Sequence, residues 1–444
     1  MTSAPPDTPA RTDRLGGAFH RLLAACGLAN LGDGMLSTAL PLIAATLTHD
    51  PLAVSGLLAA RFLPWLLIAP LSGVLLDRVD RLRAMTVANA VAAVAVVLLA
   101  VTVATGRVEM WILYAVLFTV ITCETVSDPA AGISVVRLVP ARLLDRANGR
   151  LEGLRLVAQD CLAKPVAGLL FAAAALLPVV GAALSYALCA VLVLTVVLLL
   201  RRRPDPDGGT TADVPSDGVW RSLREGLGHV FGDRLIRRMM FANAGTMAGM
   251  QMGTAVMVLH VQQVLEVPVA LYGVFMAAIA VGGIAGSAVA ARLVLAIGRR
   301  AVMMGGYLGM GCSLVALGVT ADARIAAAAW AVSGVAMTVS NIAGSLFFQT
   351  VVPEHLRGRV STAFRTIGWG LAPGGALIGG LLGRIDLALP YLAGGLVMIC
   401  TALLFRRTIA ECARLCDEAA ARLTGRFRGR EDDADAAAPV GPLP

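Results

Sequence analysis

Lysine is almost missing from this chain: Lys164 is the only one, and the other 36 of the 37 basic residues are arginine. A phosphate-binding P-loop needs Gly-Lys-Ser/Thr, whereas Lys164 sits in Ala-Lys-Pro, so an ATPase or other nucleotide-driven machine is excluded and no nucleotide partner is expected. Charged residues of all kinds make up only 15% of the 444 residues, against roughly 25% in a soluble domain. Acids are scarcest in the second half, where Glu266, Asp322, Glu354 and Asp386 are the only ones between Met239 and Phe405. Six of the eight cysteines lie scattered in apolar runs and read as small apolar residues, which excludes a secreted disulfide scaffold. Cys412 and Cys416 are one helical turn apart with no histidine nearby, so no metal site and no cofactor is expected. The net charge of +8 comes from arginines grouped at the ends of apolar runs, not from a separate basic domain, so nucleic acid is not an expected partner.

What is abundant is apolar sequence. Hydrophobic residues are 57% of the chain, about 253 residues, and mean hydropathy is +0.77. A membrane-crossing helix needs about 20 apolar residues, so twelve need about 240. Runs of that length exclude an outer-membrane barrel, whose strands alternate. The runs fall at 20–47, 53–76, 84–105, 111–136, 151–175, 177–200, 239–264, 267–291, 301–321, 325–351, 360–383 and 387–405. The first is long and contains Asp33, so it reads as a retained helix and not a cleaved signal. Alternate loops carry clusters such as Arg78, Arg81 and Arg83, then Arg142, Arg146 and Arg150, then Arg201 to Arg203, while the intervening loops hold only Arg107, Arg324 and Arg384. The positive-inside rule then puts both termini in the cytoplasm and the protein in the cell's inner (plasma) membrane.

The chain divides into a cytoplasmic segment 1–19, a six-helix bundle 20–200, a cytoplasmic linker 201–238, a second six-helix bundle 239–405 and a cytoplasmic tail 406–444. From Ser216 the linker is amphipathic, with Trp220, Leu223, Leu227 and Phe231 on one face, as in a helix lying on the membrane surface. The tail repeats that pattern with Ile409, Cys412, Leu415, Ala419 and Leu423, then turns acidic and Ala/Pro-rich, a composition that favours disorder. The two bundles match each other. Ala29-Asn30-Leu31-Gly32 aligns with Ala242-Asn243-Ala244-Gly245, Gly73 with Gly286, and Val139-Pro140, Leu143 and Arg146 with Val352-Pro353, Leu356 and Arg359, each 213 residues apart. Gly168-Leu169-Leu170 aligns with Gly380-Leu381-Leu382 at 212. An even number of spans per copy keeps the copies parallel, an arrangement that holds a substrate at the midplane between halves.

The loop after the second run reads Gly73-Val-Leu-Leu-Asp77-Arg78-Val-Asp80-Arg81-Leu-Arg83. It resembles the signature loop of the major facilitator superfamily, Gly-x-Leu-x-Asp-Arg-x-Gly-Arg-Arg, with Asp80 where the family has glycine. The resemblance implies an all-α fold of twelve transmembrane helices in two parallel six-helix repeats. It also implies a cytoplasmic gate at Gly73, Asp77, Arg78 and Arg81, whose charge-assisted bonds break when that side opens. Asn30-Leu-Gly32-Asp33, Arg61-Phe-Leu-Pro64, Pro70, Asp128-Pro129-Ala130 and Val139-Pro140 through Asn148 are similar to the drug, macrolide and siderophore exporters of that superfamily. The fifth run keeps Pro165 and Gly168 of the antiporter motif Gly-Pro-x-x-Gly but has Lys164 in place of the first glycine, and the fourth lacks Arg-x-x-Gln-Gly. Pro165 removes a backbone hydrogen bond and kinks its helix.

Charges at membrane depth need a reason, because each costs at least about 2.5–3.5 kcal/mol near the centre. At about 1.5 Å per residue, Asp33 and Arg61 reach one level on neighbouring helices, so they either pair or share a water-filled cavity. Asp160 and Lys164 are four apart and share a helix face, with Glu124 at a similar depth. These three form either a proton or cation-substrate site with coupled titrations, or an Asp160–Lys164 pair with Glu124 facing a vestibule. Asp128 and Arg155 lie near the cytoplasmic face as a latch pair. The expected function is secondary transport by a monomer, exporting an amphipathic antibiotic, macrolide or siderophore in exchange for protons. An importer or uniporter of a small metabolite and a non-transporting sensor or lipid-handling protein stay open; an enzyme does not.

Overall fold

The computed structural model describes residues 15–68, 76, 79–201, 228–345, 347, 352, 360, 364, 367–368 and 370–436. Among these it is all helix, with no strand. In hydrocarbon every backbone N–H and C=O must be satisfied within its own segment, and an apolar helix does so. Each of the twelve apolar runs holds a helix. The first six are α1 (Gly17–Leu47), α2 (Pro51–Leu67), α3 (Arg81–Ala104), α4 (Met110–Leu138), α5 (Leu144–Arg155, Leu156–Ala163 and Lys164–Ala173) and α6 (Leu176–Arg201). The next six are α7 (Arg234–Ala255, resuming as Met257–Gln263), α8 (Val269–Ile297), α9 (Arg299–Val319), α10 (Ala323–Gly344), α11 (Ala372–Gly383) and α12 (Leu389–Leu404). Among the described residues, eight helices are long and apolar enough to cross a membrane alone. The number is nine if α12 and the start of α13 (Arg406–Ala436), bent by 63°, form one span. Pro51–Leu67 and Ala372–Gly383 are shorter apolar helices.

Aspartates set several starts by capping. Asp50 accepts from the Leu52 N–H, Asp80 from Arg83, Asp233 from Leu235 and Ile236, and Asp322 from Arg324. This explains Asp80: where the resembled motif has glycine, this chain places the N-cap of α3. Pro165 is the second residue of the last part of α5, and the eight residues before it, Leu156–Ala163, are in π geometry. A widened turn thus lies just upstream of the proline, a distortion common at functional sites.

The packing repeats between the halves. In the first, α1 packs on α5 and α6, α3 on α4 and α6, and α2 on α4; in the second, α7 packs on α11 and α12, α9 on α10 and α12, and α8 on α10. The halves meet where α5 lies on α8 and α2 on α11. Glycines make the tight crossings: a Cβ on Gly282 would sit 1.9 Å from the Ala331 carbonyl oxygen and one on Gly379 2.2 Å from that of Met252. α13 lays Ile409, Cys412, Ala413 and Cys416 into the core at the arginine-rich end, anchored by Arg299, which holds Asp417 at 2.7 Å and the Ala343 carbonyl oxygen at 2.6 Å. The helix is assigned as far as Ala436, and the Ala/Pro-rich end beyond it lies outside the described residues. Most of the amphipathic linker helix expected from Ser216 lies outside the described residues.

Candidate functional site

Asp33 lies midway along α1, beside two glycines that bring neighbours close. The ring of Tyr186 on α6 fills the space that a Cβ on Gly32 would take, and the Gln159 carbonyl of the π segment fills that beside Gly34. Tyr186, 3% exposed, donates its hydroxyl to Asp33 Oδ1 at 2.5 Å. The Asp33–Arg61 ion pair that matching depths suggested is not formed. Once Gly32 lets the phenol lie flat on α1, the carboxylate has a nearer donor, and Arg61 acts on Asp33 only through space. The Asp128–Arg155 latch is corrected in the same way. Arg155 binds Glu152 on its own helix, Nη2 to Oε1 at 2.5 Å and Nε to Oε2 at 3.0 Å, because a partner three residues away on one face is within easier reach. Asp128 feels Arg155 without bonding to it.

Glu124 on α4 completes an acidic cluster with Asp33 and Asp128, with Arg61 and Arg155 acting on it through space. Its Oε2 is buried and has no hydrogen-bond partner. Asp160 and Lys164 pair as their spacing predicted, Oδ1 to Nζ at 2.6 Å, each side chain 20% exposed. Of the expected gate, Arg81 is the first residue of α3, while Gly73, Asp77 and Arg78 lie outside the described residues.

A cavity of ≈ 170 Å³ lies where α1, α2, α4, α5, α7 and α8 converge, between the two halves. Arg61 and Lys164 line it, with Thr38, Thr254, Tyr272 and Met276 among its walls. None of the clustered acids lines it.

Beyond the cavity, at the end away from the arginine clusters, the halves are fastened together. Arg384 grips Asp50 with two hydrogen bonds, Nε to Oδ1 at 2.7 Å and Nη2 to Oδ2 at 2.6 Å, and Gln263 reaches His49 at 3.3 Å. The hydrogen bond from Arg384 holds the Asp50 carboxyl below the usual carboxylate range. At the α5–α8 seam a Cβ on Gly273 would sit 1.8 Å from the Lys164 carbonyl oxygen. On α2 and α11, Ser55 occupies the space beside Gly380.

The sequence reading singled out Asp33, Arg61, Glu124, Asp160 and Lys164, and the structure gathers them into one region of the first half and its seam. It missed Tyr186, Tyr272, Glu152 and the Asp50–Arg384 clasp. Tyr186 and Tyr272 carried a usable signal, since a tyrosine in a long apolar run brings a hydroxyl that needs a partner. His260 is fully buried, with Nε2 3.2 Å from the Leu317 carbonyl oxygen and its ring 4.5 Å from that of Tyr391. It lies in the second part of α7, just after the break at Val256.

Comparison with known proteins agrees with this architecture. The family model described as Major Facilitator Superfamily matches residues 22–374. Among solved structures, the nucleoside transporter NupG superposes with a TM-score of 0.68 at 15% identity, over 89% of this chain and 99% of that one. A bacterial homologue of the iron transporter ferroportin in an inward-facing state gives 0.68 at 17%, over 89% and 98%. A bacterial homologue of the human lysosomal transporter Spinster, inward-facing and unoccupied, gives 0.63 at 15%, over 90% and 96%. No curated protein matches the sequence. With four-fifths of its length inside the family model and the doubled six-helix packing of its fold, this multi-pass membrane protein belongs to the Major Facilitator Superfamily.

Proposed function

We propose that the protein is a secondary active transporter that exports an amphipathic small molecule, of the antibiotic, macrolide or siderophore kind, in exchange for protons. It works as a monomer in the plasma membrane with both termini in the cytoplasm, its halves 20–200 and 239–405 rocking about the central cavity. The observation that carries the reading is a cavity on the seam between the halves, with two membrane-depth carboxylates, Asp33 and Glu124, on two of the helices that wall it. Charged groups at that depth are expensive, and functional pathways are where they persist. Glu124, with one oxygen unpartnered, and Asp160, paired with Lys164, are the groups assigned to carry the proton. The apolar, methionine-rich second half supports a broad amphipathic substrate, since methionine repacks easily. The gate motif at Gly73, Asp77, Arg78 and Arg81 serves the cytoplasmic side, and the Asp50–Arg384 clasp the other.

A second reading has its own observation. The charged groups lining the cavity are both cations, which favours uptake of a small anion together with protons. One experiment separates the two. An overexpressing strain is screened for tolerance and efflux with and without an uncoupler, and the hits are assayed in proteoliposomes under a pH gradient of either sign. Uphill movement of substrate against the proton flow supports exchange; movement with the proton flow supports uptake. Glu124→Gln and Asp160→Asn should each abolish accumulation while exchange survives in at least one. Normal uphill export by both variants would remove them from the coupling.

A further inference from the structure

The central cavity offers donors and positive charge to whatever enters it, and no negative charge. Lys164 gives one N–H to Asp160 and has two left. Arg61 makes no hydrogen bond or ion pair with any described residue, so a guanidinium that is charged at every physiological pH lines the cavity with its five donors unused. Tyr272 is 2% exposed, lines the same space, and its hydroxyl likewise has no partner among the described residues. The hydroxyl hydrogens of Thr38 and Thr254 are already given to the Gly34 and Met250 carbonyls, so these walls contribute uncharged oxygens only. The carboxylates close enough to act on Arg61, Asp33 and Glu124, are not in the lining. A half-buried cation at membrane depth with no bonded counter-ion is the costly half of an ion pair, and an anionic ligand supplies the other half.

Size limits what the cavity holds. At ≈ 170 Å³ it is smaller than the roughly 300–1,000 Å³ of a site enclosing a whole drug-sized molecule, so in this state it takes one end of a ligand. That end meets Arg61 and Tyr272 together with the apolar side chains of Leu57, Val258 and Met276.

We propose that the cavity is an anion subsite. It binds the carboxylate of an amphipathic substrate, with Arg61 as its bidentate counter-ion, Tyr272 as a second donor and Lys164, held by Asp160, as a third. This rests on the transport reading for the site's purpose but not for its chemistry, and names the charge of the substrate whichever way it moves.

The test is binding to the purified full-length protein in detergent, read as the concentration dependence of its thermal unfolding midpoint. The probes share one apolar ring system and differ in charge: 2-naphthoate, 2-naphthamide and 2-naphthylmethylammonium. Naphthoate is expected to raise the midpoint, the amide and ammonium far less. Arg61→Gln should weaken naphthoate by at least about tenfold, as expected for loss of a charge-assisted bond, and Tyr272→Phe by about two- to tenfold. Arg61→Lys keeps the charge without the fork and should fall between, so the series is informative even if Arg61→Gln folds poorly. Equal stabilisation by the three probes, no effect of naphthoate, or a naphthoate effect that survives Arg61→Gln overturns the inference. Flux in proteoliposomes without a charge preference refutes the anion subsite alone. Carboxylate binding without flux of any bound compound refutes the transport reading alone.

Discussion

Replacing Gly273 by alanine adds a single methyl group at the seam between the halves. On this backbone the new Cβ falls 1.8 Å from the Lys164 carbonyl oxygen, 2.5 Å from its carbon and 3.0 Å from the Pro165 Cα. These are backbone atoms of α5, so no rotamer change relieves the clash. Ordinary contact begins near 3.4 Å, and α8 must move off α5 by the difference. Forcing one extra carbon into a packed seam costs about 1–3 kcal/mol. Because α5 and α8 belong to different halves, that cost falls on the conformation in which they touch. The state with this seam parted is therefore favoured by roughly 5–150-fold relative to the parent protein. The assay is labelling of Ser55→Cys by a membrane-impermeant maleimide in an otherwise cysteine-free chain, since Ser55 is fully buried in the companion α2–α11 seam. Gly273→Ala should raise the labelling rate by about the same factor. Gly282→Ala serves as the contrast. Its Cβ would fall 1.9 Å from Ala331, but α8 and α10 lie in one half, so it should lower the unfolding temperature and leave Ser55→Cys protected. A Gly273→Ala protein that expresses normally and labels within twofold of its parent would refute the assignment of this seam to a conformational contact.

The Asp50–Arg384 clasp gives a prediction with a defined sign. Arg384 depresses the Asp50 carboxyl, so the clasp is fully present above the ordinary aspartate range and weakens only as pH falls through the depressed value. The labelling rate of Ser55→Cys, divided at each pH by that of a free thiol because the thiolate is the reacting form, should therefore stay flat from about pH 8 to pH 5, a full unit above an ordinary aspartate; a transition inside that window would exclude Asp50 as its cause. Asp50→Asn keeps the α2 cap but loses the ion pair, and should open this end without lowering the unfolding temperature, whereas Asp50→Ala should do both. Tyr186→Phe removes the one side-chain hydrogen bond Asp33 has among the described residues and should reduce stability, with Asp33→Asn in the same chain restoring part of it. Full additivity of the two changes in thermal unfolding would mean that they do not interact.

The sequence determined the class of the molecule. Fifteen per cent charge and twelve apolar runs leave the membrane as the only solvent in which such a chain is stable, and a helix is the local structure that satisfies an apolar backbone there. The 213-residue offset carried the doubling of the bundle, because a repeated pattern of small and large residues repeats its packing. Asp160 with Lys164 was legible too, since spacing within one helix fixes which side chains meet. Partners on different helices were not. Asp33 and Arg61 agree in depth, but depth says nothing of rotation about the helix axes, and the missing side chain at Gly32 gave the carboxylate to Tyr186. Arg155 took Glu152 in preference to Asp128 for the opposite reason: the contact within the helix was already in reach. The cavity, the cations that line it and the Asp50–Arg384 clasp join residues up to 334 positions apart, and only the docking of one six-helix bundle on the other brings them together.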